Sequence, residues 1–345
     1  MLGVSMDSIY NITYQDLEKY FININEKKYR AKQVFDWLYI KRIKDFDKMS
    51  NIKKDIIEKL KKDFYFDSID IIKKESDIDV FKYLLKLHDG KTIEAVLMEH
   101  DYGNSLCISS EVGCNMNCSF CESGRIKKQR DVTSSEMILE ILKIEEDINK
   151  RISHVVVMGI GEPFDNYLNI TKFIEIVNHP LGIALGSRHI TISTCGIVPK
   201  IYEFSEFFYQ VNLAISLHAP NDELRSKLMP INKVYPLKEL MKSIDYYIKK
   251  TKRRVTFEYI MLDKINDSLD NAKELCLLLK GKNCYVNLIP YNETENLGYK
   301  RSSKKQILEF YDVLKKNNLN VTIRREFGKN ISAACGQLKS SKEIV

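Results

Sequence analysis

Four of the eight cysteines fall within fifteen residues of the chain, between Cys107 and Cys121. Here Cys114, Cys118 and Cys121 are separated by three and then two residues, a spacing that chance clustering explains poorly. Thiols this close in sequence could form a disulfide staple, a zinc site or an iron–sulfur cluster. A structural zinc site usually has four ligands, often as two separated pairs, whereas the compact group offers three. Three thiolates on a four-iron cluster would leave one iron open for a substrate, so the spacing favours a cluster.

The composition is that of an ordinary globular protein, with 44% hydrophobic and 29% charged residues. Its 345 residues suffice for about two domains. No apolar run approaches the roughly 20 residues of a membrane helix, and the start MLGVSMDS has no basic stretch followed by a long apolar run. We therefore expect a cytoplasmic protein without a membrane partner, where clustered cysteines more often bind metal or do chemistry.

The charge balance permits nucleic-acid binding without requiring it. Lysine and arginine outnumber acidic residues by 54 to 47, a net charge of +7. Basic runs occur at residues 41–44, 125–130 and 249–254. The run at 125–130 directly follows the cysteine group, so we expect it to face the substrate, with an ordinary solvated surface as the alternative.

The hydrophobic pattern divides the chain into three parts. Residues 1–72 show helical periodicity and predict a small accessory domain. Residues 73–100 predict a β-hairpin around Asp89-Gly90, a preferred tight-turn pair. From 101 to 345, apolar β-branched stretches alternate with amphipathic ones, which predicts an α/β domain of parallel β/α units. A full or partial barrel fits six or seven such units best, and a doubly wound open sheet is the alternative.

Polar and small residues follow the predicted strands at equivalent positions. In parallel β/α folds the carboxyl ends of the strands meet at the active site, so their shared position predicts a single site. Besides the cysteine loop, the residues at these ends are Gly161, Glu162, Ser193, Ser216, Leu217, His218 and Asn292.

Six motifs carry a more specific resemblance: VGCNMNCSFC, VVVMGIGEP, ISLHAPNDELRSKLMPIN, RVTFEYIML, VNLIPYN and AACGQL. Together they resemble the radical S-adenosylmethionine (SAM) enzymes and, among these, the RlmN/Cfr family of RNA methyltransferases. The resemblance spans almost everything from Glu94 to Leu338, and the amino-terminal helices match more loosely as an accessory domain. It implies a partial (β/α) barrel and a 4Fe–4S cluster held by Cys114, Cys118 and Cys121, with SAM bound at the open iron.

The resemblance also implies the reaction, which is methylation of C2 of an adenine in 23S rRNA and beside the anticodon in tRNA. That ring carbon lies between two nitrogens and is electron-poor, so it suits a carbon radical rather than an electrophilic methyl group. In such enzymes one SAM methylates a cysteine, here Cys335, and a second SAM yields the 5′-deoxyadenosyl radical that activates the S-methyl group. Cys107 matches the partner that then forms a disulfide with Cys335. Glu94 matches the proton acceptor, although its residue type alone would indicate an exposed strand glutamate.

The same resemblance implies the SAM contacts and the remaining partners. Glu162 can balance the SAM ammonium, and serine and asparagine side chains can hydrogen-bond its hydroxyls and carboxylate. The matched positions are Gly161, Glu162, Ser193, Ser216, Leu217, His218 and Asn292; Cys195, Cys276 and Cys284 fall outside the matched set. We further expect an external electron donor such as a flavodoxin, and a monomer.

Two other functions stay open. A Cfr-type enzyme shares this machinery but methylates C8 of the same adenine; Pro163 and the stretch at 298–303 favour the C2 type. A metal-stabilised RNA-binding protein without catalysis is the alternative from another class. A radical SAM enzyme with some other substrate would not explain the Cys335 motif.

Overall fold

The structure is a computed structural model, described here for residues 6–207, 209–294, 296–324, 331 and 336–338. Its helices are α1 (Tyr14–Asn23), α2 (Arg30–Phe35), α3 (Lys54–Asp63), α4 (Ser134–Ile148), α5 (Tyr167–Asn178), α6 (Val198–Ser205), α7 (Asp222–Leu228), α8 (Leu237–Thr251), α9 (Leu269–Leu279) and α10 (Lys304–Lys316). Its strands are β1 (Asp7–Ser8), β2 (Phe64–Tyr65), β3 (Asp70–Asp77), β4 (Val80–Lys86), β5 (Thr92–His100), β6 (Gly103–Ile108), β7 (Glu111–Val112), β8 (Arg130–Asp131), β9 (Ile152–Val157), β10 (Ile190–Thr194), β11 (Asn212–Ser216), β12 (Val255–Met261), β13 (Cys284–Pro290) and β14 (Val321–Ile323).

The amino-terminal part is helical, as predicted. α1 begins at Thr13, whose side chain accepts a hydrogen bond from the backbone N–H of Asp16. Leu17 and Phe21, one helical turn apart, are fully buried. The short strands β1 and β2 pair in parallel and close this helical part.

The predicted hairpin is formed by β4 and β5, and the structure adds a third strand to it. Gly90 turns the chain with a φ of +83°, and its N–H donates to the carbonyl of Leu87 (2.9 Å). The N–H of Leu87 donates in turn to the carbonyl of Lys91 (2.8 Å). β3 pairs with the outer side of β4. Its sequence, DIIKKESD, is charged and exposed, as befits an edge strand, so it lacks the apolar alternation that predicts a strand. The division at 72 and 100 stays a proposal.

The main sheet is mostly parallel. In the described part of the chain, ten strands form one sheet in the order β14-β13-β12-β11-β10-β9-β6-β5-β4-β3. From β6 to β14 neighbouring strands are parallel and follow the order of the chain, whereas β5, β4 and β3 extend the sheet in antiparallel fashion. A doubly wound sheet would reverse its strand order at a switch point. The topology therefore confirms an α/β fold with a partial (β/α) barrel.

The helical part joins the barrel at the start of α4. A capping box opens this helix, because Thr133 and Glu136 exchange side-chain-to-backbone hydrogen bonds. The hydroxyl of Ser135 bonds to Ser8 (2.7 Å) and donates to Asp67 (2.9 Å). One apolar core within the described residues runs from the amino-terminal helices into the barrel. None of the described helices is long and apolar enough to cross a membrane.

Candidate active site

A cleft opens at the carboxyl ends of the parallel strands and encloses about 890 Å³ out to its open mouth. Eight residues singled out from the sequence line it: Cys114, Cys118, Cys121, Gly161, Glu162, Ser193, Ser216 and His218. Leu217 is buried in the apolar core, and Asn292 is half-buried outside the lining. Cys335 lies outside the described residues.

The cysteine loop is held from several sides. The N–H of Cys114 donates to Ile126 O (2.8 Å), and the N–H of Cys121 donates to Cys118 O (3.1 Å). Between them, the N–H of Ser119 donates to Leu228 O at the end of α7 (2.9 Å), and its hydroxyl accepts a bond from Tyr299 (2.7 Å). These bonds fix the loop independently of anything it binds.

The thiols lie where a thiolate needs a cationic partner. Burial raises the pKa of Cys114 to about 12 and that of Cys118 well above its ordinary value, because a buried charge loses its hydration. Bound metal would supply the missing positive charge. Among the described residues, no three His, Cys, Asp or Glu side chains are arranged to hold a single metal ion. A cluster binds each thiolate through a different iron, so three spread thiols on one cleft fit a cluster better than zinc.

The loop after β9 brings Glu162 into the cleft. One carboxylate oxygen of Glu162 accepts the N–H of Cys195 (2.7 Å) and the other accepts the N–H of Phe164 (3.0 Å). Burial nevertheless raises the pKa of Glu162. Gly161 has a φ of +107°, and a Cβ there would lie 2.6 Å from the Cβ of Glu111. Only glycine therefore fits this approach.

The end of β11 presents His218 as a neutral hydrogen-bond acceptor. Its Nδ1 accepts the N–H of Ile260 (3.1 Å). Its ring packs nearly perpendicular to the ring of Phe120, with the ring centroids 4.8 Å apart. Burial, and after it the charge of Arg225, lowers the pKa of His218 to about 3. The ring therefore carries no charge at neutral pH.

Arg225 on α7 holds the ends of two strands, and sequence reasoning gave it no role. Its side chain is completely buried. It donates to Cys195 O (2.7 Å) after β10, and to Ser216 O and Leu217 O (both 3.2 Å) at the end of β11. Beside these carbonyls the hydroxyls of Ser193 and Ser216 approach to 3.5 Å. The guanidinium thus aligns the strand ends that carry the predicted SAM contacts.

Among the lining residues that sequence reasoning did not assign to the site are Cys195, Glu258 and Arg324. Cys195 directly follows β10, and this position at the carboxyl end of a strand could have identified it as a site residue. Glu258 lies inside β12. The alternation of side chains along a strand predicts which face of the sheet Glu258 occupies, but it does not predict that a cleft lies against that face. The side chain of Asn287 donates to Glu258 (2.8 Å), and burial raises the pKa of this carboxyl.

Cys107 and Glu94 lie away from the cleft lining but on one face of the sheet. Val96 pairs with Cys107 on β6 and with Lys82 on β4, and Glu94 is two residues before Val96. Residues in register and two apart share a face. Glu94 is buried, not exposed, and forms an ion pair with Lys82 (Oε1–Nζ 2.9 Å).

The carboxyl-terminal segment packs on both groups of cysteines. Gly336, the residue after Cys335 in the sequence, lines the cleft and accepts the N–H of Glu122 (2.9 Å). Leu338 accepts the hydroxyl of Ser123 (2.7 Å) and belongs to the same apolar cluster as Cys107.

The basic run at 125–130 is largely occupied by ion pairs. Lys128 contacts the carboxylates of Glu111 (2.6 Å), Asp131 (2.7 Å) and Asp165 (2.8 Å). Arg125 pairs with Glu122, and Arg130 with Asp89 and Glu136. Three of the four cations of the run are thus engaged in ion pairs, and the expectation that the run faces the substrate stays a prediction.

Two sequence profiles match this chain. Residues 108–276 match the radical SAM superfamily, whose members use SAM and a 4Fe–4S cluster. Residues 8–65 match the ribosomal RNA large subunit methyltransferase N-terminal domain.

Similar proteins extend over almost the whole chain. A protein of Acholeplasma laidlawii named "Probable dual-specificity RNA methyltransferase RlmN" is 50% identical over 333 residues, covering 96% of this chain and 98% of its own. A protein of the same name from Enterococcus faecalis is 50% identical, with 97% of each chain covered. The crystal structure of a radical SAM methyltransferase from Sphaerobacter thermophilus matches with a TM-score of 0.90 at 37% identity, covering 97% of this chain and 99% of its own. Matches of this extent overturn the alternative of a non-catalytic RNA-binding protein. The chain therefore belongs to the radical SAM superfamily and, within it, to the RlmN family of dual-specificity RNA methyltransferases.

Proposed function

We propose that this enzyme methylates C2 of a specific adenine in the peptidyl-transferase centre of 23S rRNA and of the adenine beside the anticodon in tRNA. The shared name of the relatives supports a pair of RNA substrates. The observation that carries the proposal is the packing of the segment that follows Cys335. Gly336 lines the cleft, and Leu338 lies in the apolar cluster of Cys107. A cysteine at position 335 thus has one sequence neighbour in the cleft lining and another in the apolar cluster that contains Cys107.

Cys114, Cys118 and Cys121 would hold the 4Fe–4S cluster. Their raised pKa values describe the thiols without a cation, and binding to iron would stabilise the thiolates instead. When bound, the cluster and SAM supply a carbon radical, which can add to the electron-poor C2. The loop's own bonds to Ile126 and Leu228 keep the thiols spread around the cleft.

The chain's polar groups would orient SAM. The carboxylate of Glu162 is fixed by two backbone N–H groups and can balance the SAM ammonium. Ser193 and Ser216 offer hydroxyls to the carboxylate or ribose, and neutral His218 adds no competing charge. Leu217 and Asn292 complete the set by resemblance.

Cys335, Cys107 and Glu94 would perform the methyl transfer, with two SAM molecules per turnover. The sulfur of Cys335 accepts a methyl group from the first SAM. The carbon of that group then links the sulfur to C2 of the adenine, which joins the protein to the RNA. Once a carbon radical has added to C2, the ring is restored by loss of the C2 hydrogen as a proton, which the Glu94 carboxylate would accept, and of one electron, which the cluster would take back. Cys107 attacks the sulfur of Cys335, so the sulfur–sulfur bond forms as the sulfur–carbon bond breaks. The bonding electrons stay on the carbon, which takes a proton to give the methyl product. Two electrons from an external reductant and two protons would then return the Cys107–Cys335 disulfide to thiols for the next turnover.

The setting of the reaction is part of the proposal. RNA substrates place the enzyme in the cytoplasm, and an external donor such as a flavodoxin supplies electrons to a monomer. Methylation at C8 is the second candidate because the same residues would serve it. Pro163, which lines the cleft beside Glu162, favours C2.

Nucleoside mass spectrometry tests the proposal directly. The protein would be reconstituted without oxygen and given SAM, a reductant and unmodified rRNA or tRNA, and the digest searched for 2-methyladenosine and 8-methyladenosine. We expect 2-methyladenosine from both RNAs. The 8-methyl product would establish the Cfr type instead.

Two cysteine variants give the matched control. Cys335→Ala should abolish the methylated product while SAM cleavage continues. Cys276→Ala, a buried core cysteine on α9, should retain it. Methylated adenosine from the Cys335→Ala variant would rule out the S-methylcysteine route.

A further inference from the structure

A group of exposed cations lies at the end of the sheet opposite the cleft. The loops that precede β9, β10, β12 and β13 carry exposed cations, namely Lys150, Arg151, Arg188, Lys252, Arg254 and Lys280. This edge contains part of the basic run at 249–254, which the proposed reaction does not use. A strand of seven residues such as β12 spans about 23 Å, so this amino-terminal end of the strands lies roughly 20 Å from the cleft.

These cations differ from those near the cleft in their partners. Within the described residues, Arg151, Arg188, Lys252, Arg254 and Lys280 form no ion pair with a carboxylate. Most acidic residues near the same end are already paired with other cations: Glu99 with Lys150 (2.7 Å), Glu206 with Lys250 (2.7 Å) and Asp245 with Lys282 (2.6 Å). At the end of α4, Glu146 pairs with Lys44 (3.0 Å) and Asp147 with Lys74 (2.6 Å), whereas Asp101 is exposed. The amino-terminal end of the strands is therefore positively charged and available to an anionic partner.

Aromatic rings lie among these charges. Tyr102 is 68% exposed and stacks on His100, with ring centroids 4.6 Å apart and planes at 12°. Its edge meets His154 at 5.3 Å, and His154 bonds to His189, the neighbour of Arg188 (Nε2 to Nδ1, 3.0 Å). Such a stack offers an exposed ring face to a nucleic-acid base.

Hydrogen bonds connect the aromatic end to the arginines near β12. The carbonyl of Arg188 accepts the side-chain amide of Asn212 (2.7 Å), whose oxygen accepts a bond from Arg253 (2.7 Å). Arg254 lies over the ring of Tyr285 at 4.8 Å. Tyr102, Arg188, Lys252 and Arg254 thus belong to one continuous surface, which we call the amino-end band.

We propose that the amino-end band is a second RNA-binding surface, which holds the phosphate backbone and one unstacked base of the folded substrate far from the target adenine. The inference rests on the proposed RNA methylation and names a further contact of the same substrate. Unpaired cations suit phosphates, and an exposed stacked tyrosine suits a base more than an acidic protein surface. A folded RNA is large enough to reach both ends of the barrel.

RNA binding by the full-length protein tests this without relying on chemistry. The triple variant Arg188→Ala/Lys252→Ala/Arg254→Ala should weaken binding of a full-length tRNA transcript about tenfold or more at about 0.1 M salt. The slope of log affinity against log salt should shrink by about 2 to 3, because up to three phosphate contacts are lost. Tyr102→Ala should weaken binding about fivefold or more.

The matched control removes the same charge elsewhere. Lys242→Ala/Lys273→Ala/Lys305→Ala changes exposed lysines on α8, α9 and α10 that form pairs within their own helices. We expect wild-type affinity and salt slope from it. Circular dichroism melts of both triple variants check that each is folded.

Kinetics with two RNAs adds a second readout. The band variant should raise KM for the full-length RNA more than for a short hairpin carrying only the target adenine, because the hairpin is too short to span both sites. Equal effects on both RNAs, or RNA affinity equal to that of the control, would overturn the inference. So would a loss of activity with flavodoxin but not with dithionite, which would assign the band to an acidic protein. If the wild type binds RNA at the band but methylates none, the proposed function fails and the inference about binding stands.

Discussion

At the residue scale, burial decides what each side chain of the cleft can do. His218 is neutral because its ring is buried beside Arg225, and its Nδ1 can then accept a backbone N–H. Gly161 is required because the backbone passes too close to Glu111 for any side chain. Both properties follow from packing around the site and lead to measurable consequences.

Replacing Gly161 by alanine should destabilise the fold and weaken SAM binding. The new Cβ would lie 2.6 Å from that of Glu111, and overpacking of this kind costs about 1–3 kcal/mol. Gly90→Ala is the matched control, since Gly90 also has positive φ but nothing within 4 Å of an added Cβ. It should lose only about 1 kcal/mol. Urea unfolding and equilibrium dialysis with SAM measure both effects, and equal losses in the two variants would contradict the prediction.

His218 should make folding stability depend on pH. Its pKa is about 3 in the folded chain against an ordinary 6.5, so between these values the unfolded chain binds the proton and the folded chain does not. The stability due to neutral His218 is present above the ordinary pKa and is lost as the pH falls towards 3. From about pH 7 to about pH 5 this amounts to about 2 kcal/mol.

The variant His218→Asn isolates that contribution. Asparagine tolerates the positive φ of 58° and places an oxygen where Nδ1 accepts the bond, but it does not titrate. Urea unfolding of wild type and variant at several pH values should give a steeper acid loss for the wild type. Parallel curves would mean that His218 is protonated equally easily in both states.

At the element scale, the site depends on strand ends that are held in line by a side chain of α7. Arg225 performs this alignment through three backbone carbonyls of neighbouring strands. Cys195 and Leu217 are buried, so the arginine satisfies carbonyl groups that would otherwise lack a hydrogen-bond donor.

Arg225→Met should therefore destabilise the protein by about 3–5 kcal/mol and weaken SAM binding. Arg225→Lys should be intermediate, because one ammonium cannot reach all three carbonyls. Arg254→Met, the same exchange at an exposed site, should change stability by less than about 0.5 kcal/mol. Urea unfolding compares the three variants, and a small loss for Arg225→Met would show that water or another donor replaces the guanidinium.

The same scale explains what the sequence could predict. The parallel strands from β6 to β14 are buried on both faces, so their apolar β-branched runs stand out. β3 is a charged edge strand, and α6 and α7 are single short helices, so none of the three has a strong period. Five of the seven residues predicted at strand ends line one cleft because strand direction alone brings them together, whereas Leu217 and Asn292 lie outside its lining. The Lys82–Glu94 pair depends on the register between β4 and β5, which no local pattern encodes.

At the scale of the whole molecule, the helical part and the barrel share their apolar core. Buried residues of α1, such as Leu17 and Phe21, belong to the same cluster as the strands of the barrel. Tyr14 stacks on His179 at the end of α5 (4.2 Å), and Lys44 pairs with Glu146 on α4 (3.0 Å). Separating the two parts would expose this shared surface, so we expect them to unfold together.

The chain's single tryptophan makes that expectation testable. Trp37 lies in the helical part, with its indole N–H bonded to Asn51 (2.6 Å), and its fluorescence reports on that part alone. Circular dichroism reports on the whole chain, most of which is the barrel. The two urea transitions should coincide, and Phe21→Ala should move both midpoints down together, since a buried phenylalanine lost from a shared core costs about 3–5 kcal/mol. A fluorescence transition at lower urea, or one that alone responds to Phe21→Ala, would show that the helical part folds as a separate unit. In that case its contacts with α4 and α5 would contribute little to the stability of the barrel that holds the cleft.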